Sequence, residues 1–196
     1  MKYNMAKRVF FSFHYQDVID FRANVVRNHW LTKKDREVAG FFDASIWETA
    51  KKTSDLAVKR LINKEIKNTS NTCVLIGTET YNRRWVRYEI FRSIYKGNHL
   101  FGVHINKIKG KNKLTKAYGN NPFDYLGFEY SADGKKVYPI EFKIKNWGYA
   151  RDFDGYTLDK IAPKSYWGKS FKLSKWHKTY CWIKDDGYNN FTKWVK

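Results

Sequence analysis

Residues 72–105 read TCVLIGTETYNRRWVRYEIFRSIYKGNHLFGVHI. Thr72 to Gly77 and His99 to Ile105 are apolar runs without polar alternation, the pattern of strands buried on both faces. Between them a polar loop leads into a helix from about Arg83 to Lys96, which Gly97 terminates. A strand, a helix and a second strand in so short a span require parallel pairing through a right-handed crossover. The unit recurs toward the N-terminus. Arg8 to Phe13 (RVFFSF) reads as a strand, after which Asp17 can cap a helix carrying Val18, Phe21, Val25 and His29 on one stripe. Val38 to Phe42 (VAGFF) reads as the next strand and ends at Asp43-Ala44-Ser45. Thr53 or Ser54 then caps a helix with Leu56, Leu61, Ile62 and Ile66. Strands alternating with helices predict an α/β fold, a flavodoxin-like parallel sheet with helices on both faces.

Beyond Asn106 the pattern changes. A basic segment, KIKGKNKLTK, leads to Asn121-Pro122, and Leu126 to Tyr130 and Val137 to Phe142 flank the turn SADGKK as a hairpin. Thr179 to Ile183 reads as a further strand, and Asp186 as the cap of a final helix with Tyr188, Phe191, Trp194 and Val195. The organisation expected is one domain over 1–196, with a core at about 6–106 and a C-terminal elaboration at about 107–196.

Lys and Arg number 38 against 19 Asp and Glu, a formal charge of +19, which draws in anionic ligands or partners or simply solvates the surface. Aromatic residues make up 18% of the chain, and basic residues interleaved with aromatics suit a nucleotide base or single-stranded nucleic acid. No stretch approaches the roughly 20 apolar residues of a transmembrane helix. MKYNMAKR leads straight into a strand with no signal-peptide apolar region, so no membrane association and a cytoplasmic location are expected. Cys73 and Cys181 each sit in an apolar run, the habit of reduced core thiols, and neither a disulfide nor a metal site is expected.

In an open parallel sheet, ligands bind outside the carboxyl ends of the strands. That places Phe13-His14-Tyr15, Asp43-Ala44-Ser45 with Trp47, Thr78 to Asn82 and one face of the helix after them near a ligand. Trp85 and Glu89, at i and i+4, share a helix face and hold a carboxylate beside an indole. On spacing alone the simpler reading is a helix glutamate paired with Arg92 or Ser93. Phe13 reads equally as core, Asp43 and Ser45 as turn residues, and His14 has no acidic neighbour at a telling spacing.

RVFFSFHYQD resembles the first conserved box of TIR domains, and Thr80, Tyr81, Trp85 and Glu89 are similar to the TIR motif in which a Trp precedes the active glutamate by four residues. Together with FDASIW (42–47), NRRWVRYE (82–89), NPFDYLG (121–127) and DDGY (185–188), these motifs resemble the TIR-like proteins of the Thoeris antiphage system over nearly the whole chain. The resemblance implies an enzyme that cleaves nicotinamide from NAD and cyclises the remaining ADP-ribose into a signalling isomer. It implies too that the isomer activates a separate effector protein and that a phage-derived component triggers its synthesis. It implies Glu89 as the catalytic residue, with Phe13, His14, Tyr15, Asp43, Ser45, Trp47 and Trp85 as substrate-binding candidates and a mobile loop after the second strand. With no glycine-rich phosphate loop, NAD is expected as a substrate and not as a recycled cofactor. Two competing classes remain: a non-catalytic TIR or receiver-like adaptor, and a basic nucleic-acid-binding protein. The first lacks the acidic pair a receiver needs for Mg²⁺, and the second lacks any familiar motif.

Overall fold

The apolar runs at Arg8, Thr72 and His99 are all strands of one sheet, as their lack of alternation requires. The computed structural model describes residues 7–34, 36–40 and 44–196. In chain order these form β1 (Lys7–Ser12), α1 (Tyr15–Ile19), α2 (Arg22–Leu31), β2 (Arg36–Ala39), α3 (Ala44–Thr53), α4 (Asp55–Lys67), β3 (Asn71–Ile76), α5 (Arg84–Lys96) and β4 (His99–His104). There follow β5 (Leu126–Tyr130), β6 (Lys136–Lys143), β7 (Asn146–Tyr149), β8 (Tyr156–Thr157), β9 (Ser170–Lys172), β10 (Thr179–Cys181) and α6 (Gly187–Trp194). The first sheet runs β2-β1-β3-β4-β10 with every neighbouring pair parallel. This is the flavodoxin-like order, with its switch point between β1 and β3. Its fifth strand comes from residues 179–181.

β3 is buried along its whole length. On one face of the sheet, Val9, Phe11, Leu75 and Phe101 pack against Ala23, Val26 and Trp30 of α2 and Phe191 and Trp194 of α6. On the other, Phe10 packs against Val58, Ile62 and Ile66 of α4, and Val74 and Ile76 against Val86, Ile90 and Phe91 of α5. A second, antiparallel sheet, β7-β6-β5-β9, covers the outer side of α5 with Leu126, Phe128 and Val137. The expected hairpin is β5–β6. Helix α5 is therefore buried on two sides, and this fixes its axis more tightly than a surface helix would be fixed.

Several boundaries differ from the sequence pattern. The helix expected from Asp17 to His29 is broken at Phe21, which adopts a left-handed backbone (φ 66°). The stripe that meets the sheet is Ala23, Val26 and Trp30, at spacings of three and four, while Phe21 and Val25 are exposed. Asp17 lies inside α1 instead of capping it, pressed against Gly77, and burial raises its carboxyl to about 6. β2 begins two residues before Val38 and is closed by Gly40 at φ 87°, where a Cβ would meet the Phe11 carbonyl at 2.3 Å. Phe41, Phe42 and Asp43 lie outside the described residues. Ser54, and not Thr53, caps α4, its Oγ accepting from the Ala57 N–H at 3.1 Å. Before α6, Asp186 is itself left-handed (φ 46°), and its carboxylate accepts from Asn189 Nδ2 instead of from a backbone N–H. Tyr188 is exposed, whereas Phe191, Trp194 and Val195 are buried as expected.

The basic segment after β4 is tied down chiefly by Arg22, with Asn106 donating from Nδ2 to the Ala117 carbonyl at 2.8 Å. Buried Arg22 donates from Nε to the Ile108 carbonyl at 3.0 Å and from Nη2 to the Leu114 carbonyl at 2.8 Å. Its Nη1 reaches Asp20 at 2.9 Å, and Asp20 also pairs with Lys116. Replacing Arg22 with Met is expected to cost about 3 kcal/mol, because two carbonyls lose their donor and Asp20 loses a partner. Thermal melting should show a fall of roughly 6–12 °C, and limited proteolysis should cut first between residues 107 and 118. Unchanged melting and cleavage would show that the segment is held by something else.

Candidate active site

Along β1, Val9 and Phe11 point to one face of the sheet, so Phe10 and Ser12 point to the other, where α5 lies. On α5 the positions that meet the sheet are Val86, Glu89, Ile90 and Ser93, at spacings of three and four. Ser93 is fixed by the Thr72 hydroxyl of β3, which donates to it at 2.8 Å. One turn earlier, Glu89 meets the end of β1, and Ser12 Oγ donates to Glu89 Oε2 at 2.5 Å. The partner of the carboxyl is thus Ser12, and neither Arg92 nor Ser93. Glu89 is 5% exposed, and burial raises its carboxyl to about 8 against the pull of the Ser12 hydrogen bond.

Glu89 lies at the edge of a cavity of about 380 Å³ outside the carboxyl end of β1. Phe13, His14 and Tyr15 reach it from the β1–α1 junction, Trp47 from α3 and Trp85 from α5. Six of the eight residues singled out in the sequence therefore share one concavity. Trp85 also packs beside Tyr88 with ring centroids 6.0 Å apart, so it is both wall and core. Phe13 likewise packs against the α2 side of the core while facing the cavity. Burial, reinforced by Arg83, holds the His14 pKa below its ordinary value. Asp43 is outside the described residues, and Ser45 falls within the backbone of α3.

Of the three residues that the resemblance puts in a mobile loop after the second strand, Ser45 and Trp47 fall in α3 (Ala44–Thr53). ASIWETAKKT lacks Gly and Pro and is rich in helix formers, and Lys51 pairs with Glu48 one turn away at 3.0 Å. This brings Glu48 and Lys51 to the cavity, with Arg83 and Arg84 from the start of α5. None of the four was singled out in the sequence, although Lys51 follows Trp47 by four residues and shares its helix face. Ser12 was missed too; its signal was strand alternation, a polar residue on the helix-facing side of an apolar strand. The site has aromatic walls for a ring, one desolvated carboxyl, and three cations, Lys51, Arg83 and Arg84, each paired with a carboxylate of the chain. That combination can hold a nucleotide and stabilise a cationic centre.

Residues 10–110 match the family model described as Thoeris protein ThsB, TIR-like domain. Over 191 residues, 97% of this chain and 100% of the relative, the sequence is 59% identical to a protein of Bacillus cereus (strain MSX-D12) that bears the name "Putative cyclic ADP-D-ribose synthase ThsB1".

The buried carboxyl sets a pH dependence of stability. Because Glu89 holds its proton up to about 8 in the folded chain against 4.5 ordinarily, the folded state binds more protons between those values, and stability falls as pH rises through that window. Glu89→Gln keeps the shape and removes the titration. Its melting temperature relative to the parent is expected to climb from pH 5 to pH 8.5, each kcal/mol appearing as about 2–4 °C. A constant difference across that range would show that the carboxyl is not desolvated.

Proposed function

The chain belongs to the Thoeris ThsB TIR-like family, and from that premise we propose that it is an antiphage-defence enzyme that cleaves NAD, releases nicotinamide and closes the ADP-ribose remainder into a cyclic isomer. The observation that carries this reading is the Glu89 carboxyl, desolvated beside an aromatic-walled cavity and oriented by Ser12.

The bond that breaks joins the ribose anomeric carbon to the nicotinamide nitrogen. Nicotinamide leaves neutral with the bonding pair, so no general acid is required, and the ribose becomes oxocarbenium-like. A carboxylate in a low-dielectric site stabilises that charge strongly. The cationic nicotinamide ring itself favours the ionised form of Glu89, so substrate binding shifts the carboxyl toward its reactive state. A hydroxyl on the adenosine half then attacks the anomeric carbon, and its proton passes to Glu89, whose raised pKa suits a proton acceptor near neutrality. Phe13, Tyr15, Trp47 and Trp85 exclude water and fold the dinucleotide so that this hydroxyl, and not solvent, is the nucleophile. Lys51, Arg83 and Arg84 attract the diphosphate, as does the net charge of +19. His14, Asp43 and Ser45 complete the substrate-binding set. NAD serves as substrate and not as cofactor. The product activates a separate effector protein, a phage-derived component triggers synthesis, and the setting is the cytoplasm. No helix among the described residues is long and apolar enough to cross a membrane.

The test is chromatography with mass detection on NAD incubated with concentrated protein or with lysate of phage-infected cells. The parent is expected to release nicotinamide and a species of cyclic ADP-ribose mass, and Glu89→Gln to lose at least about 100-fold of that turnover. NAD left intact in infected lysate, or turned over alike by both proteins, would sink the proposal. Because the ionised carboxyl acts, kcat/KM should fall about tenfold per pH unit below about 8, with the limb in kcat at lower pH. A profile flat from pH 6 to 9 would remove Glu89 from the rate-limiting chemistry.

A further inference from the structure

Asp152 follows β7, well outside residues 10–110, yet its carboxylate reaches the start of α5. It accepts from Arg84 Nε at 3.1 Å and Nη2 at 2.9 Å, a fork that fixes the plane of the guanidinium. Lys59 of α4 adds a third bond at 2.9 Å, and Asp55 takes Arg84 Nη2 at 2.6 Å. The Asp152 side chain is 9% exposed. Burial pushes its carboxyl up, but the Arg84 and Lys59 bonds outweigh that and hold it at about 2, so it is ionised at any working pH. The loop that carries it does not wander. Phe153 packs on Tyr88, Phe91 and Tyr95 of α5 with centroids 5.1, 5.4 and 5.2 Å away, and the Arg151 N–H donates to Glu141 at 2.9 Å.

The held guanidinium has a neighbour that matters. Its carbon lies 4.4 Å from the centre of the Trp85 ring, and both Arg84 and Trp85 line the cavity that Glu89 borders. We propose that Asp152 is a positioning residue of this cavity: it fixes the Arg84 guanidinium over the Trp85 indole, so that cation and ring present one rigid wall to the dinucleotide. The C-terminal part of the chain thereby supports a site whose described lining residues all come from the first 89 residues. This inference rests on the reading of the cavity as the NAD site. A wall that binds the ground state and the transition state alike changes KM and leaves kcat in place.

Steady-state NAD turnover and melting curves are compared for the parent, Glu89→Gln, Asp152→Asn, Arg84→Lys and Lys59→Met. Asp152→Asn keeps the shape and removes the charge. Arg84→Lys keeps the charge and removes the fork and the stacking. Lys59→Met removes the second cation and leaves the Arg84–Asp152 pair. The expected result is a KM raised roughly tenfold in Asp152→Asn and Arg84→Lys, with kcat within about twofold, and a variant carrying both substitutions, measured alongside, no worse than either single one. Lys59→Met should keep the parent KM. A parent-like KM in Asp152→Asn, or a raised KM with lowered kcat and melting temperature in both Asp152→Asn and Lys59→Met, overturns the proposal. Should Asp152→Asn melt below the assay temperature, Arg84→Lys carries the same comparison. Glu89→Gln separates the two levels. If it turns NAD over like the parent, the reading of the cavity fails; if it is inactive while Asp152→Asn is kinetically normal, only the positioning role fails.

Discussion

The hydrogen bond between Ser12 and Glu89 joins the end of β1 to the middle of α5 and exists only because α5 is pressed against the sheet. An isolated helix of 13 residues would be marginal in water, and its stability here comes from packing. Val86 and Ile90 anchor it to the parallel sheet, Phe91 meets Phe128 of the antiparallel sheet with centroids 5.8 Å apart, and Gly97 closes it with a left-handed residue. With both sides committed, the helix cannot rotate to carry Glu89 into water. The carboxyl is held where its charged form is unfavourable, and a cationic ligand or transition state recovers that energy.

The second sheet acts on the same helix through charge as well as apolar contact. Arg87 of α5 pairs with Glu141 of β6 at 2.9 Å, with both side chains nine-tenths buried. Burial pushes the Glu141 carboxyl up, but bonds from Lys143, the Arg151 N–H and Arg87 outweigh it and keep it ionised. Removing either partner of such a pair leaves a buried charge uncompensated, so the pair specifies the docking of α5 more than it adds to stability. The Arg84–Asp152 pair lies toward the start of the same helix. A chain of +19 thus sets carboxylates where they orient particular cations around α5, and Arg84 and Lys51, each paired with a carboxylate, line the cavity.

The fold class was legible because its signals are local. TCVLIG and HLFGVHI lack polar alternation, the helix between them ends in Gly, and parallel pairing with a crossover leaves one arrangement. The candidate site was legible in part for the same reason: Phe13, His14 and Tyr15 follow a strand end, and Trp85 and Glu89 are four apart on a helix. Local pattern misled where two readings competed. Phe21 and Val25 fitted a helical stripe, but Ala23, Val26 and Trp30 fitted a better one, and only contact with β1 and β3 chose between them. The resemblance implies a mobile loop after the second strand, whereas Ser45 and Trp47 belong to α3, whose sequence ASIWETAKKT lacks Gly and Pro.

By itself, the sequence determined the alternation of strands and helices, the helix face that carries Trp85 and Glu89, and an excess of cations suited to an anionic ligand. These follow from periodicity and composition, which are properties of neighbours along the chain. Only the tertiary structure decided that residues 179–181 supply the fifth parallel strand, that Ser12 is the partner of Glu89, and that Asp152 holds Arg84 from 68 residues away. Those are contacts between segments far apart in sequence. They are set by which buried faces and charges can be satisfied together once the core has closed, and no local pattern encodes that.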